Sequence, residues 1–268
     1  MALAAWALAS GSAGNAFLVS TPRTSLLVDA GISLATLAKA RSAWLWGRPL
    51  DAIVLTHEHQ DHARNALAIA TALNAPLYAT PGTHENLAGQ VERYRAVDRR
   101  NLRPGQPQRI GDIEIIPRSI VHDASDPIGL TIEHDGAAIA IAVDMGTLRE
   151  RDIEWMARAD LLVIEANHDL DKLWDGPYPR NLKARIASGR GHLSNSQAAA
   201  AAFACARRGR VREVWLAHLS ETNNSADTAL ATVLRALQTR HISVRVCDRC
   251  ETGVSWSCAG SYRQMALL

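Results

Sequence analysis

The chain has 268 residues, of which 47% are hydrophobic and 21% are charged, and its formal net charge at pH 7 is +2. This balance is typical of a soluble globular protein and excludes an intrinsically disordered chain. The small net charge neither requires nor excludes a polyanionic partner, so the evidence for such a partner has to come from local clusters of basic residues. No apolar segment is long enough to span a bilayer, and the first ten residues lack the basic start of a signal peptide. We therefore expect a cytoplasmic protein that does not bind membranes.

The four cysteines do not form the framework of a disulfide-rich secreted protein. Cys247 and Cys250 have a spacing that zinc sites use, but the sequence offers no second matching pair. We favour two reduced thiols at this place.

Short apolar runs recur along the chain, and most of them end in a polar residue. After a first strand within residues 1–10, the runs are residues 26–28 before Asp29, 52–55 before His57, 139–143 before Asp144, 161–164 before Glu165 and 214–217 before His218. Nearly continuous apolar runs of this length predict strands that are covered on both faces. Polar groups at strand ends are where α/β folds collect their catalytic side chains.

Helices are predicted between these strands, at residues 63–73, 194–207 and 225–238. Ser194 and Asn195 provide a capping start for the second of them. Residues 110–143 are typical of hairpins, with Asp135-Gly136 as a two-residue turn. Together these elements favour a layered α/β sandwich, which we expect to form one domain over residues 1–268.

The segment that decides the chemistry is His57-Glu58-His59-Gln60-Asp61-His62. It places four potential metal ligands within six residues, directly after a strand and before a helix. Residues two apart point to nearly opposite sides of a regular helix, so His57 and His59 converge only if they lie in a turn. A polar loop with chance histidines is the alternative, but clustered histidines usually require a metal or another partner.

The pattern His-x-His-x-Asp-His after an apolar strand resembles the signature of the metallo-β-lactamase superfamily. The resemblance implies an α/β fold, a four-layer αββα sandwich, with two metal sites. One site would consist of His57, His59, His122 and Asp144, and the other of Asp61, His62, Asp144 and His218. Asp29 resembles the early strand-end aspartate of the family, which supports the ligand loop.

Mixed imidazole and carboxylate ligands suit Zn²⁺ best, with Mn²⁺ or Fe²⁺ as alternatives. Two such ions roughly 3.5–4 Å apart would activate a water molecule and neutralise negative charge that develops on the substrate. Asp61 is therefore both a candidate ligand and a candidate catalytic residue.

A second group of motifs resembles nucleases of this superfamily. The block Gly191-His192-Leu193-Ser194-Asn195 is similar to the histidine motifs of tRNase Z and the β-CASP nucleases, and Glu165 matches their additional acidic residue. Other blocks, among them residues 8–15, 29–33, 165–169, 176–179 and 217–220, resemble the YycJ/WalJ group of bacterial DNA exonucleases. The chain leaves no room for a tRNA-binding arm or a β-CASP domain. The resemblance implies a 5′–3′ DNA exonuclease of DNA repair, with DNA preferred to RNA and no obligate protein partner.

His192 and Glu165 are candidate catalytic residues for phosphodiester cleavage, because the departing oxygen needs a proton. A histidine that a carboxylate holds as imidazolium can supply that proton. The alternative is that His192 is only a helix-start residue bonded to the backbone.

Aromatic and basic side chains precede His192, and such mixtures can stack bases and hold phosphates. The candidate substrate contacts are Tyr178, Lys183, Arg185 and Asn195. A second basic run, residues 93–103, is as well explained by a solvated surface. A small-molecule hydrolase of the same fold, acting on a cyclic phosphodiester or a thioester, remains the alternative function. The complete ligand set disfavours a non-catalytic binding protein.

Overall fold

The structure, a computed structural model, describes residues 2–45, 47–89, 91–238, 241–249 and 253–258. Cys250 and the ends of the expected domain 1–268 lie outside the described residues.

Two mixed sheets of seven strands each make up the centre of the described chain. The strands are β1 (Ala4–Ala9), β2 (Ala16–Ser20), β3 (Ser25–Val28), β4 (Ala52–Val54), β5 (Leu77–Ala79), β6 (Arg99–Asn101), β7 (Gln108–Ile110), β8 (Ile113–Ser119), β9 (Ile128–His134), β10 (Ala137–Ala142), β11 (Leu161–Glu165), β12 (Glu213–Ala217), β13 (Ser243–Val246) and β14 (Val254–Ser257). The first sheet has the order β14-β1-β2-β3-β4-β5-β6, and the second sheet has the order β13-β12-β11-β10-β9-β8-β7. Strands β3 to β6 are parallel, as are strands β10 to β13.

Helices cover the outer face of each sheet. They are α1 (Leu34–Leu45), α2 (Gln60–Ala63), α3 (Ala66–Leu73), α4 (Pro81–Leu87), α5 (Val91–Arg95), α6 (Glu150–Met156), α7 (Leu170–Asp175), α8 (Arg180–Ile186), α9 (Asn195–Arg208) and α10 (Ala226–Leu237). No helix in the described part of the chain is long and apolar enough to cross a membrane.

The alternation of side chains along β10 shows how the layers form. Ile139 and Ile141 join the core between the two sheets. Ala138 and Ala140 point the other way, into the core that α6 and α9 share with the second sheet. Successive side chains of a strand lie on opposite faces, and the small alanines let helices pack closely on one of them. A third core lies between the first sheet and helices α1 and α3. The predicted four-layer αββα sandwich is therefore confirmed.

The local predictions hold at the capped helices and at the hairpin. Ser194 accepts a hydrogen bond from the backbone N–H of Gln197 at 3.3 Å and caps α9 as expected. Asp135 and Gly136 have φ angles of 49° and 78°, which are the left-handed values that a two-residue hairpin turn requires.

The helix predicted at residues 63–73 is confirmed over Ala66–Leu73 as α3, but it begins later than predicted, because Ala63 ends the separate short helix α2. Arg64 turns its side chain to the carbonyl of Gly31, at 2.9 Å from Nε. The backbone N–H of Asn65 bonds to the carbonyl of Ala30 at 3.2 Å. These contacts to the end of β3 interrupt the helix and fix the ligand loop against the first sheet.

Candidate metal centre and active site

Three site residues adopt a strained backbone conformation just beyond the ends of strands. Asp29, Asp144 and His218 have φ angles of 60°, 54° and 55°. The left-handed region costs a residue with a side chain roughly 1–2 kcal/mol. They follow the carboxyl ends of β3, β10 and β12, and the sharp change of direction brings their side chains together where the two sheets meet. Such strain typically persists at functional sites.

The first group of candidate ligands consists of three histidines. The ligand atoms of His57, His59 and His122 lie within 4.8 Å of one another. Nδ1 of His59 faces Nε2 of His122 at 3.3 Å. Nε2 of His57 is buried and has no hydrogen-bond partner among the described residues. Since buried polar atoms are normally paired, convergent and unpaired imidazole nitrogens fit a metal ion.

The second group combines a carboxylate with two histidines. Oδ2 of Asp61 lies 3.1 Å from Nε2 of His218 and 3.4 Å from Nε2 of His62. Asp144 stands between the two groups, because its Oδ2 is 2.6 Å from Nε2 of His62 and 3.8 Å from Nε2 of His57. The structure thus brings all seven candidate ligands into one cluster, with Asp144 in the position of a bridge.

The pKa values of the histidines differ between the two groups of candidate ligands. Burial, together with the neighbouring His62, holds the pKa of His57 well below its usual value, so this imidazole is neutral and able to bind a metal. Burial also disfavours the charged form of His218, but Asp144, Asp61 and Glu165 outweigh it and raise the pKa of His218 to about 9. The carboxylates of the second group therefore hold protons on their histidines, and a divalent cation can take the place of those protons. The donor set fits divalent metal ions.

Hydrogen bonds to Nδ1 fix the orientation of the candidate ligands. Asp29 Oδ2 lies 2.7 Å from Nδ1 of His62, while Asp29 Oδ1 accepts from the backbone N–H of Thr56 at 2.8 Å. Nδ1 of His122 lies 3.0 Å from the carbonyl of Gly191. With Nδ1 engaged in this way, Nε2 of each ring faces the cluster. This arrangement agrees with the supporting role expected for Asp29.

Each carboxylate oxygen of Glu165 has two hydrogen-bond partners. Its Oε2 accepts from the backbone N–H groups of Met145 and Leu193, both at 3.0 Å. Its Oε1 lies 2.7 Å from Nδ1 of His192 and 2.8 Å from Nδ1 of His218. Burial disfavours the carboxylate, but these bonds and the nearby imidazolium charge outweigh it and lower the pKa of Glu165 to about 2.

His192 lies at the edge of the cluster, with 21% of its side chain exposed. Its Nδ1 is 3.1 Å from Asp144 Oδ1 in addition to its contact with Glu165. Burial opposes the charge, yet Glu165 and Asp144 raise the pKa of His192 well above its usual value. The imidazole bonds to Glu165, and the cap of α9 is Ser194, which disfavours the alternative of a helix-start residue bonded only to the backbone. The pair of His192 and Glu165 is present as the sequence predicts.

Sequence reasoning missed three side chains next to the ligands. Nδ2 of Asn15 lies 3.0 Å from Nε2 of His62, and Asn167 donates to the carbonyl of His218 at 3.0 Å. Oδ1 of Asp123 is buried without a hydrogen-bond partner among the described residues, 3.3 Å from Nε2 of His122. Two of these residues could have been found from the sequence, because Asn15 and Asn167 lie in the blocks 8–15 and 165–169 that resemble the exonucleases. Asp123 had no such signal beyond its position next to His122.

The four predicted substrate contacts do not share one environment. Tyr178 is half-buried and donates to Oγ1 of Thr222 at 3.2 Å. Arg185 is exposed and pairs with Asp123 at 2.6 Å. Lys183 donates to a backbone carbonyl at 2.6 Å. Asn195 differs, because it is 2% exposed and exchanges two hydrogen bonds with the side chain of Asn224, at 2.9 and 2.8 Å. The first residue of α9 faces inward, so Asn195 is not accessible to a substrate.

Comparison with known proteins identifies the family. The profile of the beta-lactamase superfamily domain matches residues 24–219. The exodeoxyribonuclease YycJ of Bacillus anthracis is 33% identical over 238 residues, which cover 88% of this chain and 90% of that protein. The exodeoxyribonuclease WalJ of Streptococcus pneumoniae is 33% identical over 243 residues, which cover 89% of this chain and 90% of that protein.

Solved structures support the same fold. The metallo-β-lactamase fold protein YhfI of Bacillus subtilis superimposes with a TM-score of 0.72 at 19% identity, covering 96% of this chain and all of that one (100%). The chain is therefore a metal-dependent hydrolase of the metallo-β-lactamase superfamily and belongs to its YycJ/WalJ group.

Proposed function

We propose that the chain is a dinuclear metal-dependent phosphodiesterase that removes nucleotides from the end of a DNA strand. The pair of His192 and Glu165 carries this proposal, because Nδ1 of His192 lies 2.7 Å from Glu165 and 3.1 Å from the central Asp144, and both carboxylates favour the protonated imidazole. YycJ of Bacillus anthracis and WalJ of Streptococcus pneumoniae are named exodeoxyribonucleases, and they match 88% and 89% of the chain. The 5′–3′ polarity, the role in DNA repair, the cytoplasmic location and a single domain over residues 1–268 belong to the same proposal.

Two metal positions are part of the proposal. His57, His59 and His122 would hold one ion, and Asp61, His62 and His218 the other, with Asp144 shared between them. Zn²⁺ suits this mixture best, and Mn²⁺ is the first alternative. Bound ions would supply an activated water molecule and neutralise the charge of the phosphodiester.

The protein itself would supply the proton for the leaving group. Nδ1 of His192 is directed to Glu165 and Asp144, so Nε2 is the atom left to face a substrate. Glu165 keeps that imidazole charged and fixes its orientation, since its own four hydrogen bonds prevent it from turning. A phosphodiester with a poor leaving group gains most from such a proton donor.

The same geometry weakens the thioesterase alternative, and the surrounding charge weakens the cyclic phosphodiesterase alternative. A thioester releases a thiolate, which departs without a proton donor, so the paired His192 and Glu165 would have no role in its hydrolysis. Basic side chains, among them Arg185 and Lys183, extend beyond the cluster along α8, which suits a polyanion better than a small metabolite. We therefore favour nucleic acid, and DNA over RNA because of the named relatives.

A substrate panel tests the proposal. Protein loaded with Zn²⁺ or Mn²⁺ is given end-labelled single- and double-stranded DNA, RNA, a cyclic phosphodiester, a thioester and a β-lactam. We expect mononucleotides to appear from DNA, and label on the 5′ end to be released first. Circular DNA is the control, since an exonuclease leaves it intact. Efficient thioester or cyclic phosphodiester hydrolysis with every nucleic acid intact would overturn the nuclease proposal.

A further inference from the structure

An exposed apolar ledge lies on α7, beyond the metal cluster. It consists of Leu170 and Trp174, which are 44% and 47% exposed. Residues four apart share one face of a helix, so the two side chains form one surface. By contrast, Trp6, Trp155 and Trp215 are at most 6% exposed. About half of the Trp174 residue surface is therefore open to a ligand.

Helix α8 joins this α7 ledge to the candidate active site. At one side, Nζ of Lys183 donates to the backbone carbonyl of Trp174 at 2.6 Å. At the other, Arg185 pairs with Asp123, which lies beside His122. Lys183 and Arg185 are two residues apart on α8. This one helix therefore contacts both the backbone of the ledge and the aspartate beside a candidate metal ligand.

The α7 ledge is held rigidly. Asp169 caps α7 by accepting from the backbone N–H of Lys172 at 3.1 Å, and its own N–H bonds to the carbonyl of Asn223 at 2.9 Å. Gly176 ends the helix where a Cβ atom would come within 2.6 Å of a backbone oxygen of α7. Leu173 is fully buried beneath the ledge. The backbone that carries Trp174 is thus already ordered before a ligand binds, which lowers the entropic cost of binding.

The charge around the ledge indicates the kind of ligand. Residues 169–190 contain five basic side chains and three acidic ones. The acidic ones lie on α7 or at its cap, whereas Arg180, Lys183 and Arg185 make α8 basic. An exposed indole beside cations is the arrangement with which proteins bind a nucleic acid strand, because the bases stack on the ring while the cations hold the phosphates. We propose that Trp174 stacks on one nucleobase of the strand whose phosphate lies at the metal cluster. This inference rests on the proposed DNA hydrolysis and adds a residue that binds one base of the substrate by stacking.

A double-mutant cycle between protein and DNA tests the inference. End-labelled oligonucleotides carry an abasic nucleotide at one of the first four positions from the cleaved end, and kcat/KM is measured for each. We expect the wild type to prefer an intact base over its absence by about 10-fold or more at one position, the usual strength of base–aromatic stacking. Trp174→Ala should lose this preference, and Trp174→Phe should keep part of it.

Two controls make the outcome decisive. Phe203→Ala removes an exposed aromatic ring from α9, and it should leave the preference for the base unchanged. The metal content of each variant reports whether the site is assembled. If Trp174→Ala keeps the full preference, or if the wild type shows none at any position, the stacking inference is wrong. If the wild type cleaves no DNA at all, the proposed function itself is wrong.

Discussion

At the scale of single residues, the site depends on side chains that serve two partners at once. Oε1 of Glu165 lies within hydrogen-bond distance of Nδ1 of both His192 and His218. Asp144 directs Oδ2 to His62 and Oδ1 to His192. A carboxylate shared in this way fixes the orientation of a candidate proton donor and of a candidate metal ligand together. Changes at Glu165 should therefore affect chemistry and metal content jointly.

The role of His192 can be separated from metal binding. His192→Ala should keep the fold and both metals, and it should lose roughly 10²–10⁴-fold in turnover of DNA, the usual contribution of a positioned proton donor. The loss should be much smaller on an activated aryl phosphodiester, whose leaving group departs without a proton. Steady-state kinetics on both substrates, with metal analysis, measures this. Equal losses on both would mean that His192 binds substrate without delivering a proton.

Glu165→Gln offers the matched comparison for His192. Gln has one acceptor oxygen where Glu has two, so it cannot accept from both imidazoles and both backbone N–H groups, and it lacks the charge. We therefore expect the same substrate pattern as in His192→Ala together with a weakened second metal position. The sequence alone predicts only the first of these effects, because the contact with His218 at 2.8 Å appears only in the structure.

We expect Asp29 to support metal binding through its contact with His62. Asp29→Asn preserves its shape and tolerates its φ of 60°, since Asn adopts the left-handed region more readily than most residues. It loses the charge that faces Nδ1 of His62 at 2.7 Å. We expect metal affinity to fall about 10- to 100-fold. Competition with a chelator measures it, and an unchanged affinity would show that Asp29 only braces the loop.

At the scale of elements, a group of hydrogen bonds joins the two sheets through the turns between their strands. The turn between β2 and β3 meets the turn between β7 and β8, where Thr21 Oγ1 donates to Asp112 at 2.7 Å and Arg23 donates at 3.1 Å. Burial disfavours the carboxylate, but hydrogen bonds from Thr24, Thr21 and Arg23 outweigh it and lower the pKa of Asp112 to about 2. This contact ties the first sheet to the second.

Asp112→Asn should therefore destabilise the protein in a manner that depends on pH. The pKa of Asp112 in the folded protein, about 2, lies below the value of about 4 in an unfolded chain. Its carboxylate stabilises the fold above pH 4, and that contribution is lost as the pH falls toward 2. We expect the free energy of unfolding to drop by about 1 kcal/mol at pH 7, since solvent weakens the exposed contact with Arg23.

Urea unfolding of both proteins between pH 7 and pH 3 measures the difference. The difference in the free energy of unfolding between the wild type and Asp112→Asn should shrink as the pH falls below 4. Glu114→Gln, which neutralises an exposed carboxylate on β8, is the control and should change stability little at any pH. A difference for Asp112→Asn that stays constant with pH would assign its effect to packing.

The elements also show what the sequence could predict. Strands β3, β4, β10, β11 and β12 were visible as apolar runs, because burial on both faces removes polar residues from them. The break between α2 and α3 was not visible, because it depends on a distant contact from Arg64 to the end of β3. The inward position of Asn195 was hidden for the same reason, since its partner Asn224 is far away in the sequence.

At the scale of the whole molecule, the two sheets bring together ligands that are far apart in the chain. His57 and His62 come from the first sheet, and Asp144 and His218 from the second. The sequence could name these residues through their likeness to a family motif. It could not give the distances among them, the four hydrogen bonds of Glu165 or the buried, unpaired oxygen of Asp123. These features depend on how the two sheets pack together.

The central claim is that two metal ions act together to cut DNA from an end. The most direct test is a titration of metal-free protein with Zn²⁺ and, separately, with Mn²⁺, in which bound metal and exonuclease rate are measured on the same samples. We expect two equivalents to bind and the rate on end-labelled DNA to reach its maximum at two equivalents. Full activity at one equivalent, or two bound equivalents without cleavage of any DNA, would contradict the account.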